Sequence, residues 1–460
     1  MKRALSLLFL LFLAATLSGG QFRILTDPVT GKQVRYAGKL HNSPVFLQKK
    51  YVAKESEFRG VWVATIEQID FKQHVTAESF RKDFLTVLQN LKNAGFTALI
   101  FQVRPMNDAF YPSEISPYSK WMTGTEGKTF TDEPAFDPMK YMVTETRKAG
   151  LEFHAWLNPY RVANGISVSK KKYLDSLDEK NFARQKQYLV LEYKCSDGKT
   201  NLILNPGEPE VMNYLFRVVL EIVQKYQVDA IHMDDYFYPY GGLPEQADKK
   251  TYENYGAKKK LTLEEWRRGN VNSLVRNMHI LLTRFNKSRK RSVQFGISPF
   301  GIWANTPLSV KLHPKNSKKK FLSMPEGSLT AGTQSYFEQY ADSRKWVREG
   351  WVDYIVPQLY WNFDHDVAAY AALTDWWAQT VRGTKVKLYT GHGFYRLNKG
   401  TSWNKDEIPD QLIFNNNFAE VCGCAFFSYI RIFEPDNAVQ REAAAKIIKQ
   451  FWKKQYGVKK

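Results

Sequence analysis

Cysteine is almost missing from this chain. Cys195, Cys422 and Cys424 are the only three in 460 residues, and an odd count so small excludes a disulfide framework as the source of stability. Cys422 and Cys424 share a face if they lie on a strand, where they would pack as small apolar residues. Histidine is scarce as well, with eight residues. No His-Glu-x-x-His run occurs, and no His or Cys near Cys422 completes a ligand set, so a metal centre is not expected. The phosphate loop of nucleotide hydrolases and the Gly-x-Ser-x-Gly turn of serve-as-nucleophile serines are both absent. No Gly-rich turn follows the first apolar run, which disfavours an open dinucleotide-binding sheet. No cofactor is expected. Beyond the N-terminus no apolar stretch is long enough to span a bilayer.

Negative charge is also in short supply: 46 Asp and Glu stand against 66 Lys and Arg, a formal charge of +20. Such an excess attracts polyanions, among them anionic wall polymers, lipid headgroups and nucleic acid. The aromatic residues do not interleave with the basic runs at 286–291 and 311–320 or with the Lys-rich C-terminus. Solvated loops and tails are the plainer reading of those runs, and nucleic acid is not an expected partner.

What the chain has in quantity is aromatic rings, including 12 Trp and 25 Tyr. Many will be core, but sugar-binding clefts use such rings because pyranose faces are apolar C–H surfaces. The first residues read as an export signal: Lys2 and Arg3, an apolar stretch from Leu5 to Ala15, then the small residues Ser18, Gly19 and Gly20. The stretch is too short for a transmembrane helix, and no cysteine follows it to carry a lipid. Cleavage is expected near Gln21, giving a periplasmic or secreted protein of charge +18 with no stable membrane insertion.

From Phe58 onward, short apolar runs alternate with amphipathic helical patterns. The runs are 60–66, 98–103, 152–157, 229–234, 293–297, 354–360, 386–390 and 424–430. Helices are expected at about 76–94, 137–149, 206–226, 262–288, 335–349, 368–382, 410–421 and 438–452. Eight strand-then-helix units imply a parallel sheet covered by helices, and eight is the number that closes a (β/α)8 (TIM) barrel. The organisation is therefore a signal at 1–20, an N-terminal extension at 21–57 and a barrel domain at 58–460. Helix-to-strand links are short. Strand-to-helix links at 107–136, 162–205, 237–261 and 303–334 are long, and in a barrel they emerge at the C-terminal face where active sites sit. Long loops there suit an extended polymer.

The strongest local signal is Ile231-His232-Met233-Asp234-Asp235-Tyr236-Phe237-Tyr238-Pro239. Side chains alternate on a strand, so His232 and Asp234 point into the barrel, with Asp234 at the mouth. Adjacent acids at the end of a buried strand are costly without a task or a cationic partner. Asp235 is expected to turn toward the loop. On the second strand Arg104 shares a face with Gln102 and is expected at the mouth, with Asp108 in the following loop as a cleft acid or a turn former. His154, Trp156 and Asn158 share a face on the third strand, followed by Tyr160 and Arg161. Tyr236, Gln358, Tyr360, Trp361 and His392 complete a polar and aromatic mouth. Glycoside hydrolysis needs two carboxyl groups astride the bond. Asp234 fits the nucleophile or base, while Asp108, Asp235, Asp70 and Asp364 compete for the acid.

Six motifs carry a resemblance: Phe58-Arg59-Gly60-Val61-Trp62-Val63-Ala64-Thr65, Arg104-Pro105 with Asp108-Ala109, His154 to Arg161, His232 to Pro239, Gly296-Ile297-Ser298-Pro299-Phe300-Gly301 and Pro357 to Trp361. In this order, from about Phe58 to Phe433, they resemble the bacterial glycosyl-hydrolase-like family 10. The resemblance implies a TIM barrel, glycoside hydrolysis without cofactor, and exported or divisome-associated enzymes acting on peptidoglycan glycan strands. By it, Asp234, Asp235 and Asp108 lie in the family's acidic positions. The expected partner is a cell-wall polysaccharide; a barrel that binds such a glycan without cutting it is the alternative.

Overall fold

A computed structural model of the chain describes residues 21–194, 198–312, 322–400 and 402–455. The expected signal, Cys195 and most of the 311–320 basic run lie outside them.

Eight parallel strands close on themselves: β1 (Phe58–Val63), β2 (Ala98–Arg104), β3 (Glu152–Leu157), β4 (Ala230–Met233), β5 (Gln294–Ile297), β6 (Tyr354–Ile355), β7 (Lys387–Gly393) and β8 (Val421–Phe427). Each pairs with its sequence neighbour, and β8 pairs with β1, Ala425 standing opposite Gly60. The covering helices are α1 (Ala77–Ala94), α2 (Pro138–Lys148), α3 (Pro209–Lys225), α4 (Leu263–Arg289), α5 (Ser343–Arg348), α6 (Tyr370–Val381), α7 (Glu407–Asn415) and α8 (Ala438–Ala445). This is the (β/α)8 barrel that the alternating pattern implies. No described helix is long and apolar enough to cross a membrane.

Local signals set the helix limits. Thr76 caps α1 by accepting from the Ser79 amide, and Gly95 ends it at φ 83°, a left-handed conformation that glycine takes without strain. Between them Phe80, Phe84, Val87, Leu88 and Leu91 recur at helical spacing and are buried. Thr262 and Glu265 form a reciprocal capping box at the start of α4. The expected helix at 335–349 is instead two short ones, Ser335–Glu338 and α5, because Tyr340 between them takes φ 52°. Strand β6 is only two residues long, since Pro357 has no N–H to continue the ladder.

The barrel interior is filled by Phe58, Trp62, Ile100, Trp156, Tyr354 and Tyr389 among smaller residues. Gly296 is required there, because a Cβ on it would lie 1.9 Å from the Tyr354 ring. A chain of hydrogen bonds runs down the interior. Trp62 Nε1 can only donate, and it meets His232 Nε2 at 3.2 Å. That nitrogen is therefore unprotonated, and His232 Nδ1–H donates to the Tyr354 hydroxyl at 3.0 Å. Tyr354 then donates to His154 Nδ1 at 2.8 Å, leaving His154 Nε2–H for Glu152 at 2.9 Å. One indole thus fixes the tautomers of two histidines. Burial keeps His232 well below the ordinary histidine pKa, so it stays neutral.

The link after β3 carries an antiparallel three-stranded sheet built from Arg161–Ile166, Val190–Lys194 and Thr200–Leu204. The link after β4 holds a helix, Glu245–Tyr255, pinned to α4 by a buried two-pronged ion pair from Arg267 to Asp248 at 2.5 and 3.0 Å. The N-terminal extension pairs Phe22–Ile24 with Phe46–Gln48 and rests against α7, where Arg23 meets Asp410 at 2.6 Å.

Several buried or half-buried carboxyls hold their protons unusually tightly. Burial raises Asp70 to about 6 and Glu126 to about 7. Glu407, at the first position of α7, rises to about 8 for the same reason, although it accepts from the Phe363 amide and Gln411. A raised folded-state pKa gives stability that is complete below the unfolded value and is lost as pH climbs through the folded one. The melting temperature should therefore fall between about pH 4, where the unfolded carboxyls ionise, and about pH 8, where Glu407 ionises in the folded protein. Glu407→Gln keeps an acceptor for the Phe363 amide but cannot ionise, so it should flatten the decline most visibly between about pH 7 and 8, where Glu126 has already ionised and Glu407 still contributes. Parallel melting curves for the two proteins across that range would show otherwise.

Candidate functional site

A cavity of about 430 Å³ opens at the C-terminal mouth of the barrel, within the ~300–1,000 Å³ typical of small-molecule sites. Trp62 and Trp156 form its floor with Gln102 and Ala64. Asp234, Asp235, Tyr236 and Tyr240 come from the end of β4, Arg161 from the link after β3, and Ser298 and Phe300 from the end of β5. Gln358, Tyr360 and Trp361 follow β6, Tyr395 and Arg396 follow β7, and Phe427 ends β8. The rings contact one another around the rim: Phe300 with Trp361, Phe300 with Tyr240, Tyr360 with Tyr395 and Tyr395 with Phe427.

Asp234 is 4% exposed and held almost entirely by donors. Asn158 Nδ2 lies 3.1 Å from each of its oxygens, Trp156 Nε1 3.1 Å from Oδ2 and the Tyr236 amide 3.2 Å from Oδ1. Burial raises its pKa, while the Arg161 guanidinium and these donors oppose the rise. The groups that hydrogen-bond to it are all donors, which favour the ionised form against burial. Arg161 is kept in place by stacking 4.4 Å from the Tyr236 ring centre.

Asp235 differs in having a like charge beside it where Asp234 has Arg161. It is 2% exposed and its pKa is pushed up to about 6, first by burial and then by the charge of Asp234. The Tyr240 hydroxyl donates to its Oδ2, Gln358 lies within reach of the carboxyl, and Gln339 Nε2 holds its backbone carbonyl at 3.0 Å. The chain leaves the β-ladder after Met233 and turns at once. Strand alternation therefore no longer applies, and two consecutive carboxyls reach one cavity. Two neighbouring acids of unlike environment are a way of separating a protonated from an ionised carboxyl at one pH.

The structure places the sequence candidates in three groups. Trp156, Arg161, Asp234, Asp235, Tyr236, Gln358, Tyr360 and Trp361 line the cavity. Asn158, His232 and His154 lie inside the barrel beneath it: Asn158 supports Asp234, and the histidines belong to the internal hydrogen-bond chain. Tyr160 is buried behind the mouth, its amide 3.3 Å from Asn158 Oδ1. The rest stand elsewhere. Arg104 is turned away from the mouth, because β2 shifts register between Gln102 and Arg104. That irregularity pairs Arg104 with outward-facing Leu157 and sends its guanidinium to the Tyr214 hydroxyl on α3 at 2.6 Å. His392 also faces outward. Tyr389 points into the barrel, so by alternation His392 points toward α7, bonding Gln411 at 2.9 Å. Asp108 does not line the cavity. Its carboxylate closes its own loop, accepting from the Met106 amide at 3.0 Å and from Ser119 at 2.6 Å. Asp70 ties the Ala64 and Ile430 amides together, and Asp364 sits on a separate hollow beside the N-terminal extension.

Trp62, Tyr240, Phe300, Tyr395, Arg396 and Phe427 line the cavity without having stood out as site residues in the sequence. For Trp62 and Phe427 the signal was strand alternation at a strand end. For Tyr240, Tyr395 and Arg396, in loops, no local pattern marks them.

A closed parallel barrel with helices between its strands and a cavity at its C-terminal mouth defines a TIM-barrel protein. The model of the family "Glycosyl hydrolase-like 10" matches residues 57–408, and the chain belongs to that family. It is 36% identical to glycosyl hydrolase YngK of Bacillus subtilis over 381 residues, covering 81% of this chain and 68% of that one. It is 31% identical to glycosyl hydrolase DigH of Escherichia coli K12 over 413 residues, 86% of this chain and 87% of the relative. Among solved structures, α-L-fucosidase isoenzyme 2 of Paenibacillus thiaminolyticus aligns with a TM-score of 0.45 at 10% identity, over 86% of this chain and 50% of that one.

Proposed function

We propose that this protein is an exported glycoside hydrolase that cleaves the glycan strands of a cell-wall polysaccharide, peptidoglycan, after its leader is removed near Gln21. The observation that carries the reading is the unlike pair, Asp234 and Asp235, in one aromatic cavity. Asp235, protonated below about pH 6, gives its proton to the glycosidic oxygen as the C–O bond breaks. Asp234, ionised and held by Asn158, Trp156 and the Tyr236 amide, faces the positive charge that develops on the sugar. Water supplies the hydroxyl to the anomeric carbon and returns a proton to the acid pair. One bond is exchanged for another with no outside reactant. The aromatic walls stack on sugar faces, and the long links around the mouth accommodate a chain rather than a single sugar.

The direct test is incubation of the folded, purified protein with isolated sacculi and with chitin-type polymers. New reducing ends and soluble fragments are expected from sacculi. Glycan binding with no release from any polymer would replace hydrolysis with a binding role.

The Tyr240 hydroxyl gives a second handle. Its hydrogen bond to Asp235 lowers that carboxyl's pKa against the larger effect of burial. Tyr240→Phe removes the bond, so Asp235 should keep its proton to higher pH. The basic limb of the pH–kcat/KM profile should move upward from about 6. An unmoved basic limb would dissociate Asp235 from the acid role.

A further inference from the structure

Resting on that reading, we propose that Arg396 selects glycans whose sugar ring carries a free carboxylate. Three observations lead there. Arg396 lines the cavity, at the end of the short turn Phe394–Arg396 that follows β7 directly. Its Nε is buried without a hydrogen-bond partner, and among the described residues its guanidinium makes no hydrogen bond or ion pair. The Tyr395 ring centre lies 5.3 Å from the guanidinium carbon.

The other cation of the cavity is already engaged. Arg161 stacks on Tyr236, bonds the Pro105 carbonyl and lies where its charge acts on Asp234. Arg396 is left with a donor that water cannot reach and nothing in the protein satisfies. Such a donor is costly to bury and becomes an asset only when an acceptor arrives with the ligand. A guanidinium offers a planar fork that matches a carboxylate, and its bonds to one are charge-assisted.

The position says what carries that carboxylate. Arg396 adjoins the wall made by Tyr360, Tyr395 and Phe427, whose rings lie 5.9 to 6.3 Å apart. A sugar stacked on this wall presents its edge substituents to Arg396. The Asp234–Asp235 pair comes from β4, on another side of the mouth. Those carboxyls repel any anionic sugar, so an acidic glycan needs an unengaged cation in the cavity, and Arg396 supplies it. The ring-borne carboxylate has two sources, a uronic acid or an acid ether such as the lactyl group of muramic acid.

Calorimetric binding to Asp234→Asn, which should hold substrate without turning it over, separates the cases. The probes are a glucosamine–muramic acid oligosaccharide, the same compound with its carboxyl amidated, a glucuronate-containing oligosaccharide with its amide, and a chito-oligosaccharide of equal length. One acid form should bind about tenfold more tightly than its amide, and which of the two does so names the source. Adding Arg396→Gln should bring that ratio close to one, and Arg396→Lys should restore part of it. Equal binding of acids and amides, or a preference that survives Arg396→Gln, overturns the proposal. Preference without turnover by the wild type overturns the hydrolase reading alone, and failure to bind any of the glycans overturns both.

Discussion

Asp234→Asn should leave a folded protein that holds glycan but turns it over about a thousandfold or more slowly, a loss near 4 kcal/mol of barrier stabilisation. The argument rests on what surrounds the side chain. Asn158, Trp156 and the Tyr236 amide are all donors aimed at its two oxygens, with Arg161 behind them. Such a frame is built for a full negative charge. Asparagine has the same outline, so the cavity keeps its shape, but it brings an NH2 group toward at least one of those donors and no charge. An electropositive sugar then loses the one counter-charge fixed in advance, in a mouth where water is partly excluded and charge acts strongly. Melting temperatures should be matched first, so that a folding defect is not read as lost chemistry. Near wild-type turnover in Asp234→Asn would end the mechanism proposed here.

Asp235→Asn should also lose activity, by about a hundred- to ten-thousandfold, with a different signature. A general acid matters in proportion to the leaving group's need for a proton. Native glycosides should suffer most, and aryl glycosides whose phenolate leaves unaided should retain much of their rate. The basic limb near pH 6 that Asp235 would impose should vanish from the profile. Asp108→Asn supplies the contrast. Its carboxylate closes the loop after β2 through Met106 and Ser119 and does not reach the cavity. That variant should lower the melting temperature and leave the leaving-group dependence unchanged. If Asp108→Asn instead reproduces the selective loss on poor leaving groups, the acid has been misassigned to Asp235.

The barrel was readable because each strand buries both faces and each helix one, and these two periods differ plainly in the sequence. Sequence and structure part where a single residue breaks a period. At β2 the register shift turned Arg104 from the mouth to α3, and no residue type in Gln102-Val103-Arg104 marks such a shift. At β7 the alternation counted from Tyr389 puts His392 outside; the candidate rested on residue type, where parity decides. Tyr340 broke an expected helix by adopting a left-handed conformation that its side chain does not advertise. Asp234 could be placed from alternation alone, whereas Asp235 reaches the cavity only because the chain turns immediately after Met233. The aromatic wall of Tyr360, Tyr395 and Phe427 joins segments well apart in sequence, and only closure of the barrel brings them together.

The central claim is that water is added across a glycosidic bond under the control of Asp234 and Asp235. Digestion of purified sacculi in heavy-oxygen water, followed by mass spectrometry of the fragments, tests it most directly. Wild-type protein should release fragments whose new reducing end carries one heavy oxygen atom, and Asp234→Asn should release almost none. Fragments lacking that atom, as from an elimination that forms an anhydro end, or equal release by both proteins, would contradict the account.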